Sequence, residues 1–571
     1  MYTINNFRKI AIGIFLITHV ISYAQIDNPE RKKRAMMHHE VPDDKYIPGS
    51  NNNAETSPAY RSANSIFFTT QVNVDANGQN IIGDAANEPS IAVDPVNPNR
   101  MAIGWRQFDN VSSNFRQAGY GYSTDGGNSW TFPGVIDPGG FRSDPVLDAD
   151  ANGNFYYNSL TVDAQDNMSC DVYKIEDGGV DWDDGTYAHG GDKQWMRIDK
   201  TNGTGSGHNY SFWSSYWSIC APGAFTRSTD YGYSYEDCVE VSGDPYWGTL
   251  ALGPDGELYI VGEAWPNPIV VVKSTTASDP GATVSWDNVV PVNLDGELNG
   301  SVTVNPEGLM GQAWIDIDVS NGPGHGNVYV LASVSRYSNY DPGDVMFAKS
   351  TDGGQTWSAP KRINDDLGIN DYQWFGTMSV APNGRIDAIW LDTREATGNS
   401  VLSALYYSYS QDQGETWSVN EKLSELFDPH LGWPQQNKMG DYFDMVSDDL
   451  SAHLAWANTL NGEQDVYYGR ITPPTVSVAE ILGKQLQFSL TTYPNPTSGT
   501  STLRYNLTEN SDVQISVINI YGQKVKHLLN EEQDAGLHNL TFDASELPEG
   551  IYFCRLEVGE KSETTRLMLI K

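Results

Sequence analysis

Hydrophobic and polar residues alternate in short runs along most of the chain, and turns rich in Gly, Pro, Asn and Asp separate them. Ile66 to Val74, Arg385 to Trp390 and Ser451 to Trp456 are examples. A period of two sends successive side chains to opposite faces, so each run predicts a β-strand with one face in a core. Related segments begin at Glu88-Pro-Ser-Ile-Ala-Val, Ser143-Asp144-Pro-Val-Leu, Gly243-Asp244-Pro-Tyr-Trp, Asp371-Tyr-Gln-Trp-Phe-Gly and Gly440-Asp441-Tyr-Phe-Asp. Gln194 to Asp199 and Ala313 to Asp318 form a further, mutually similar pair, giving seven starts.

A turn motif, Ser-x-Asp-x-Gly-x-x-Trp, recurs between strands. It stands as Ser123, Asp125, Gly127, Trp130; as Ser350, Asp352, Gly354, Trp357; and as Ser410, Asp412, Gly414, Trp417. Looser copies are Ile175, Asp177, Gly179, Trp182 and Ser228, Asp230, Gly232, Tyr235. The Asp positions lie 52, 53, 122 and 60 residues apart. The long step reads as two periods, with one copy worn away between Ser274 and Trp286. Each period holds four strand-like segments, the size of a propeller blade. The motif's chemistry is structural: the carboxylate accepts turn amides, glycine supplies positive φ, and the ring anchors the hairpin between sheets.

The expected architecture is all-β, a propeller with seven blades, six being the alternative count. The last blade has no such turn and stops near Arg470, so it needs an edge partner, and Ile66 to Val74 is the natural one. With 16 Trp and 31 Tyr, the composition also favours strands.

The formal charge of −38 repels nucleic acid and anionic membranes, so neither is an expected partner. Arg8 and Lys9, the apolar run Ile10 to Ile21 and Ser22-Tyr23-Ala24 follow the order of a secretory signal peptide over 1–24. The apolar run is too short to span a bilayer, and no later segment is apolar enough. Residues 25–65, which include Arg31-Lys32-Lys33-Arg34, read as a propeptide or linker. Among four cysteines, Cys220 and Cys238 are the most plausible pair, with Cys170 as competitor.

On these motifs the stretch 66–473 resembles the sialidase (neuraminidase) superfamily of Asp-box, or BNR-repeat, propellers. After a linker over 474–487, Tyr493-Pro-Asn-Pro496, Val517 to Val525, Leu547 to Phe553 and the basic, apolar end Arg566 to Lys571 describe a small β-sandwich over 488–571. It resembles the type IX secretion sorting domain of Bacteroidetes. That resemblance implies recognition by the export machinery and a secreted or cell-surface location. A monomer is expected.

In a four-stranded blade the box turns share one face of the disk, so a pocket is expected on the other, where the first strands begin. Glu88, Asp144, Asp244 and Asp441 fall there and are the candidate catalytic acids. Tyr246, Trp247, Tyr372, Trp374 and Tyr442 lie beside them, and Arg106, Arg142 and Arg394, with Arg197 and Arg336, offer anion clamps. Paired carboxylates with aromatic rings suit glycoside hydrolysis on an extracellular glycan. Sialidases carry the first arginine of a triad in a Phe-Arg-Ile-Pro-like motif. Here the equivalent stretch is Asn87-Glu88-Pro89-Ser90-Ile91, which departs from it. A non-catalytic glycan-binding or adhesion propeller is the alternative, and a uronate lyase using His189, His208 and Tyr210 a further one. No cofactor or metal is predicted. Asp148-Ala-Asp150-Ala-Asn152-Gly153 resembles half a calcium loop but lacks the later bidentate Glu, so a hairpin turn is favoured over a structural calcium ion.

Overall fold

A computed structural model describes residues 33–34, 37, 44–48, 55–176, 180–398, 400–473, 488–507, 510–520, 522–534, 536–559 and 561–570. The expected signal peptide, the 474–487 linker and the box residue Asp177 lie outside the described residues. The chain divides into two compact units, Met1–Pro473 and Pro474–Lys571.

The first unit is a succession of antiparallel meanders, consistent with propeller blades. The first sheet pairs Ala85–Val93, Met101–Phe108, Gln117–Ser123 and Thr131–Ile136 in chain order; the second pairs Ser143–Ala149, Phe155–Val162, Met168–Ile175 and Thr186–Tyr187. The third holds Trp195–Ile198, Asn209–Phe212 and Phe225–Ser228, and the fourth runs from Leu250–Leu252 to Asn288–Pro291. The fifth is built on Trp314–Ile317, Val328–Arg336 and Asp344–Ser350, the sixth on Gln373–Val380, Ile386–Asp392 and Ala404–Ser410. The closing sheet joins Asp444–Ser447, Ala452–Asn458 and Asp465–Ile471 to Phe67–Gln71 and Arg61–Ala63 from the other end of the unit. First strands of successive sheets touch, and Asp444–Ser447 returns to Ala85–Val93.

A first strand has an edge with no strand beside it, and a buried edge amide must still find an acceptor. Here the neighbouring sheet supplies it through a side chain. Leu147 N donates to Ser90 Oγ (2.8 Å), Ile198 N to Asp148 Oδ2 (2.8 Å), Ile315 N to Thr249 Oγ1 (3.1 Å) and Val380 N to Asp316 Oδ2 (2.7 Å). Ser447 N donates to Ser379 Oγ (3.0 Å), and Ile91 N to Asp444 Oδ2 (3.2 Å), which carries the hand-over back to the first sheet. At the centre Trp195 meets Trp314 and Tyr442 edge-on, with centroids 5.0 and 5.1 Å away, so aromatic side chains fill the space where the first strands converge.

The box turns around Asp125, Asp230, Asp352 and Asp412 repeat one hydrogen-bond pattern. In the copy at Asp352, Ser350 Oγ donates to Asp352 Oδ1 (2.7 Å) and accepts from Gly354 N (2.9 Å). Thr356 then donates both its amide (2.9 Å) and its hydroxyl (2.6 Å) to the same carboxylate. These donors hold the Asp352 carboxyl down to about 2. Gly354 has φ +84°, which an L side chain resists. The worn copy keeps its ring: Trp286 packs edge-on to Phe225 at 5.3 Å, as Trp417 does to Phe347 at 5.3 Å. Cys220 and Cys238 form a disulfide with Cα atoms 6.1 Å apart.

The second unit has two antiparallel sheets. One is Phe488–Tyr493, Thr500–Leu507 and Gly536–Asp543; the other orders Lys524–Gln533, Ser511–Asn519, Gly550–Val558 and Lys561–Leu569. Leu503, Val513, Ile515, Val517, Leu556 and Leu567 share its core. Among the described residues no helix is long and apolar enough to cross a membrane.

Candidate functional site

Where the first strands begin, the backbone takes an unusual path. Glu88, Asp144 and Asp244 each precede a proline and have φ of 49°, 46° and 47°. The register also shifts between Asn87 and Ser90. Such bulges re-aim side chains, here toward the centre of the unit.

Three of the four expected acids meet there in a buried ionic network. Arg106 Nη1 lies 3.2 Å and Lys438 Nζ 3.3 Å from Glu88 Oε1. Lys438 Nζ and Lys193 Nζ stand 3.0 and 2.9 Å from Asp441 Oδ2. Lys193 also faces Asp192 at 3.4 Å and Asp144 at 3.9 Å. Glu88, Asp144, Asp192, Asp441 and Lys193 have no exposed side-chain surface. Burial pushes the Glu88 carboxyl up to about 8 against the pull of Arg106 and Lys438.

A short hairpin, Gly300–Val302 and Asn305–Leu309, closes over this network. Leu309 N donates to Asp441 Oδ1 (2.9 Å), Met439 N donates to Asn305 Oδ1 (2.8 Å) and Asn305 Nδ2 donates to Gly440 O (2.8 Å). Gly440 has φ +105°, and a Cβ there would come 2.5 Å from Glu88 Cγ, so only glycine fits between the network and the hairpin.

Most of the other expected site residues are engaged by protein partners. Asp244 accepts from Ser215 Oγ (2.7 Å). Trp374 and Tyr442 do not offer ring faces to a ligand. Both are buried: Trp374 donates to Ser403 Oγ (3.1 Å), and Tyr442 donates to Pro145 O (2.7 Å) and packs on Trp195. Arg106 is committed to Asn87 and Glu88. Arg394 is held by Asp365 and Asp392 over the Tyr406 ring, and partly buried Tyr372 donates its amide to Thr393 Oγ1 (2.8 Å) and accepts from Thr393 N at its carbonyl (3.0 Å). Tyr246 and Trp247 sit edge to face at 5.2 Å beside Glu263. Tyr210 is buried 3.4 Å from His208 Nδ1, as Tyr329 is 3.3 Å from Asn327 in the sister sheet. In the calcium-like loop, Asp150 Oδ1 accepts Asn152 N and Asn154 N, and Asp148 is taken by Ile198 N and Lys200, which leaves an ordinary turn.

Arg142, among the expected residues, lines an open pocket. This cavity, about 430 Å³, lies between the outer strands of the first and second sheets. Tyr120, Tyr173 and Trp182 give it ring surface, and Asp137, Asp181, Asp183 and Asp184 give it acid. Trp182 stands edge-on to Tyr120 at 5.8 Å, and Arg142 binds Asp137 (3.0 Å) and Asp171 (2.7 Å) beneath the Tyr173 ring. Burial pushes the Tyr173 hydroxyl up to about 12.

Lys193, Lys438 and the Gly300–Leu309 hairpin were not read from the sequence. A signal existed for Lys193: it precedes Gln194-Trp195, takes φ 58° and so occupies the place where Glu88 and Asp144 stand in their sheets. Nothing in the local pattern marks Lys438.

Residues 491–571 match the family model of the secretion system C-terminal sorting domain. That domain directs the protein to secretion or the cell surface through the type IX system. No curated protein sequence matches the chain. Among solved structures, a protein of unknown function from Dyadobacter fermentans is similar at 14% identity and TM-score 0.39, over 75% of this chain and 100% of that one. An ulvan lyase bound to a GlcA–Rha3S unit is similar at 10% identity and TM-score 0.42, over 71% and 98%. Trypanosoma rangeli sialidase is similar at 7% identity and TM-score 0.34, over 90% and 89%. Likeness at this level leaves the architecture to the strand pairing described above.

Proposed function

We propose that the chain is an exported, seven-bladed, sialidase-like propeller that binds extracellular glycan through the open pocket between its first and second sheets. The make-up of that pocket carries the reading. Sugar C–H faces stack on rings such as Trp182, Tyr120 and Tyr173, while hydroxyls pair with carboxylates and a guanidinium such as Arg142. The closed series of first-strand contacts supports seven blades. In this reading Glu88, Asp144 and Asp441 are structural, because lysines neutralise them and a hairpin covers them.

A glycoside hydrolase is the second reading. It is favoured by Glu88, since an acid that titrates at about 8 keeps its proton at neutral pH as a general acid must. It requires the Gly300–Leu309 hairpin to lift. The test is a glycan array on the full-length protein, followed by titration of the best ligand and a search for new reducing ends. Binding at the pocket predicts that Trp182→Ala weakens affinity about tenfold or more, that Glu88→Gln leaves it unchanged, and that no product appears. Product formation abolished by Glu88→Gln would move the function to the covered network. Affinity indifferent to Trp182→Ala would remove the pocket from it.

A further inference from the structure

A second cavity, about 350 Å³, lies between the fourth and fifth sheets and is lined by Tyr246, Glu263, Trp265, Glu297 and Tyr337. Arg34, from the basic stretch that precedes the first sheet by some fifty residues of sequence, forms part of its wall. Arg34 Nη2 donates to Glu263 Oε2 (3.0 Å), and Nε contacts Glu263 Oε1, so the guanidinium and the carboxylate meet through two atoms each. Nη2 also donates to Leu298 O, Nη1 lies 3.7 Å from Glu297 Oε1, and Cζ stands 5.8 Å from the Trp247 ring. Met37 packs against the same apolar cluster as Tyr246 and Trp247.

The acids that hold Arg34 are themselves fixed by other protein groups. Glu263 follows the strand Leu258–Gly262, and its backbone exchanges two hydrogen bonds with Tyr246, at 3.0 and 2.8 Å. Its side chain is only 7% exposed, and Tyr246 Oη fixes it by donating to Oε1 (2.7 Å). Tyr337 Oη orients Glu297 in the same way (3.2 Å). A carboxylate held in place and shielded from water is costly without a cation, and a planar two-pronged donor fits it better than a point charge. Every other contact of the guanidinium, a carbonyl, a second acid and an indole face, also selects for a cation.

We propose that Glu263 and Glu297, on the wall of this cavity, form a recognition site for a guanidinium group, taken in cis by Arg34 and open to an arginyl side chain of another molecule when Arg34 is displaced. Arg34 then acts as a tethered competitor. Its high effective concentration, as part of the same chain, keeps free arginyl groups out of the intact protein.

The test is calorimetric titration of the full-length protein with Nα-acetyl-arginine amide. Arg34→Ala is expected to bind the probe at least about tenfold more tightly than the wild type, and Arg34→Ala with Glu263→Gln to lose that gain. The lysine amide should bind Arg34→Ala more weakly than the arginine amide. Near-UV circular dichroism establishes that each variant is folded; should Arg34→Ala fail to fold, Arg34→Gln, which keeps the apolar stem, carries the same comparison. A folded variant that gains no affinity for the arginine amide, or one whose gain survives Glu263→Gln, overturns the proposal.

Discussion

Replacing Lys193 with methionine tests the reading of the central acids as a structural network. The change keeps most of the side-chain volume and removes the cation that stands 2.9 Å from Asp441 and 3.4 Å from Asp192. Both carboxylates are buried, so water cannot take its place. Deleting one partner of a buried pair costs about 3–5 kcal/mol. Unfolding entropy of about 2.1 cal/mol/K per residue, taken over a unit of roughly four hundred residues, makes this a fall in Tm of about 3–6 °C. Differential scanning calorimetry at neutral pH measures it. Adding Asp441→Asn should restore part of the loss, because one of the two carboxylates that lose Lys193 is neutralised while its amide oxygen still accepts from Leu309 N. A Tm loss below about 1 °C for Lys193→Met, or strict additivity in the double variant, would refute the argument that these charges hold one another in place.

Glu88 gives the network a pH dependence of known sign. Its folded pKa of about 8 lies above the ordinary 4.5, so the native state keeps a proton that the unfolded chain gives up. Stability should be highest at the acid end of this window and fall as pH rises from about 4.5 to about 8, and calorimetry on Glu88→Gln should show a flatter profile. Replacing Cys220 and Cys238 together with serine reopens a loop spanning 18 residues and should cost about 3 kcal/mol, read as a Tm lower by about 4 °C under oxidising conditions.

What the sequence makes legible is what neighbouring residues decide. The box turns are closed by hydrogen bonds within a few residues, from Ser350 to Thr356 for example, so a short motif specifies them fully. Phe67–Gln71 was recognisable because strand period and an unsatisfied edge are both visible in the chain. Ring anchors survive even where the acid is lost, as Trp286 shows. The electrostatics of the centre were not legible in the same way. Glu88, Asp144 and Asp441 were identifiable as acids on converging strands, but their partners come from Lys193, Lys438 and a hairpin at 300–309, segments with no periodic signature. A carboxylate awaiting substrate and one locked to a lysine look identical until the distant residue is placed beside it. The ring-lined cavity at Trp182 likewise depends on how two sheets splay.

The pairing of Phe67–Gln71 with Asp465–Ile471 ties together positions 399 apart, as in the bond from Thr69 Oγ1 to Tyr468 O. A polypeptide emerging from the ribosome therefore cannot complete its final meander until nearly the whole unit has been synthesised, and loop closure over that span is slow. Truncation on either side of this seam strips a strand of its partner and leaves a sticky backbone edge, so the two ends of the unit are the places where shortening the gene is least forgiving.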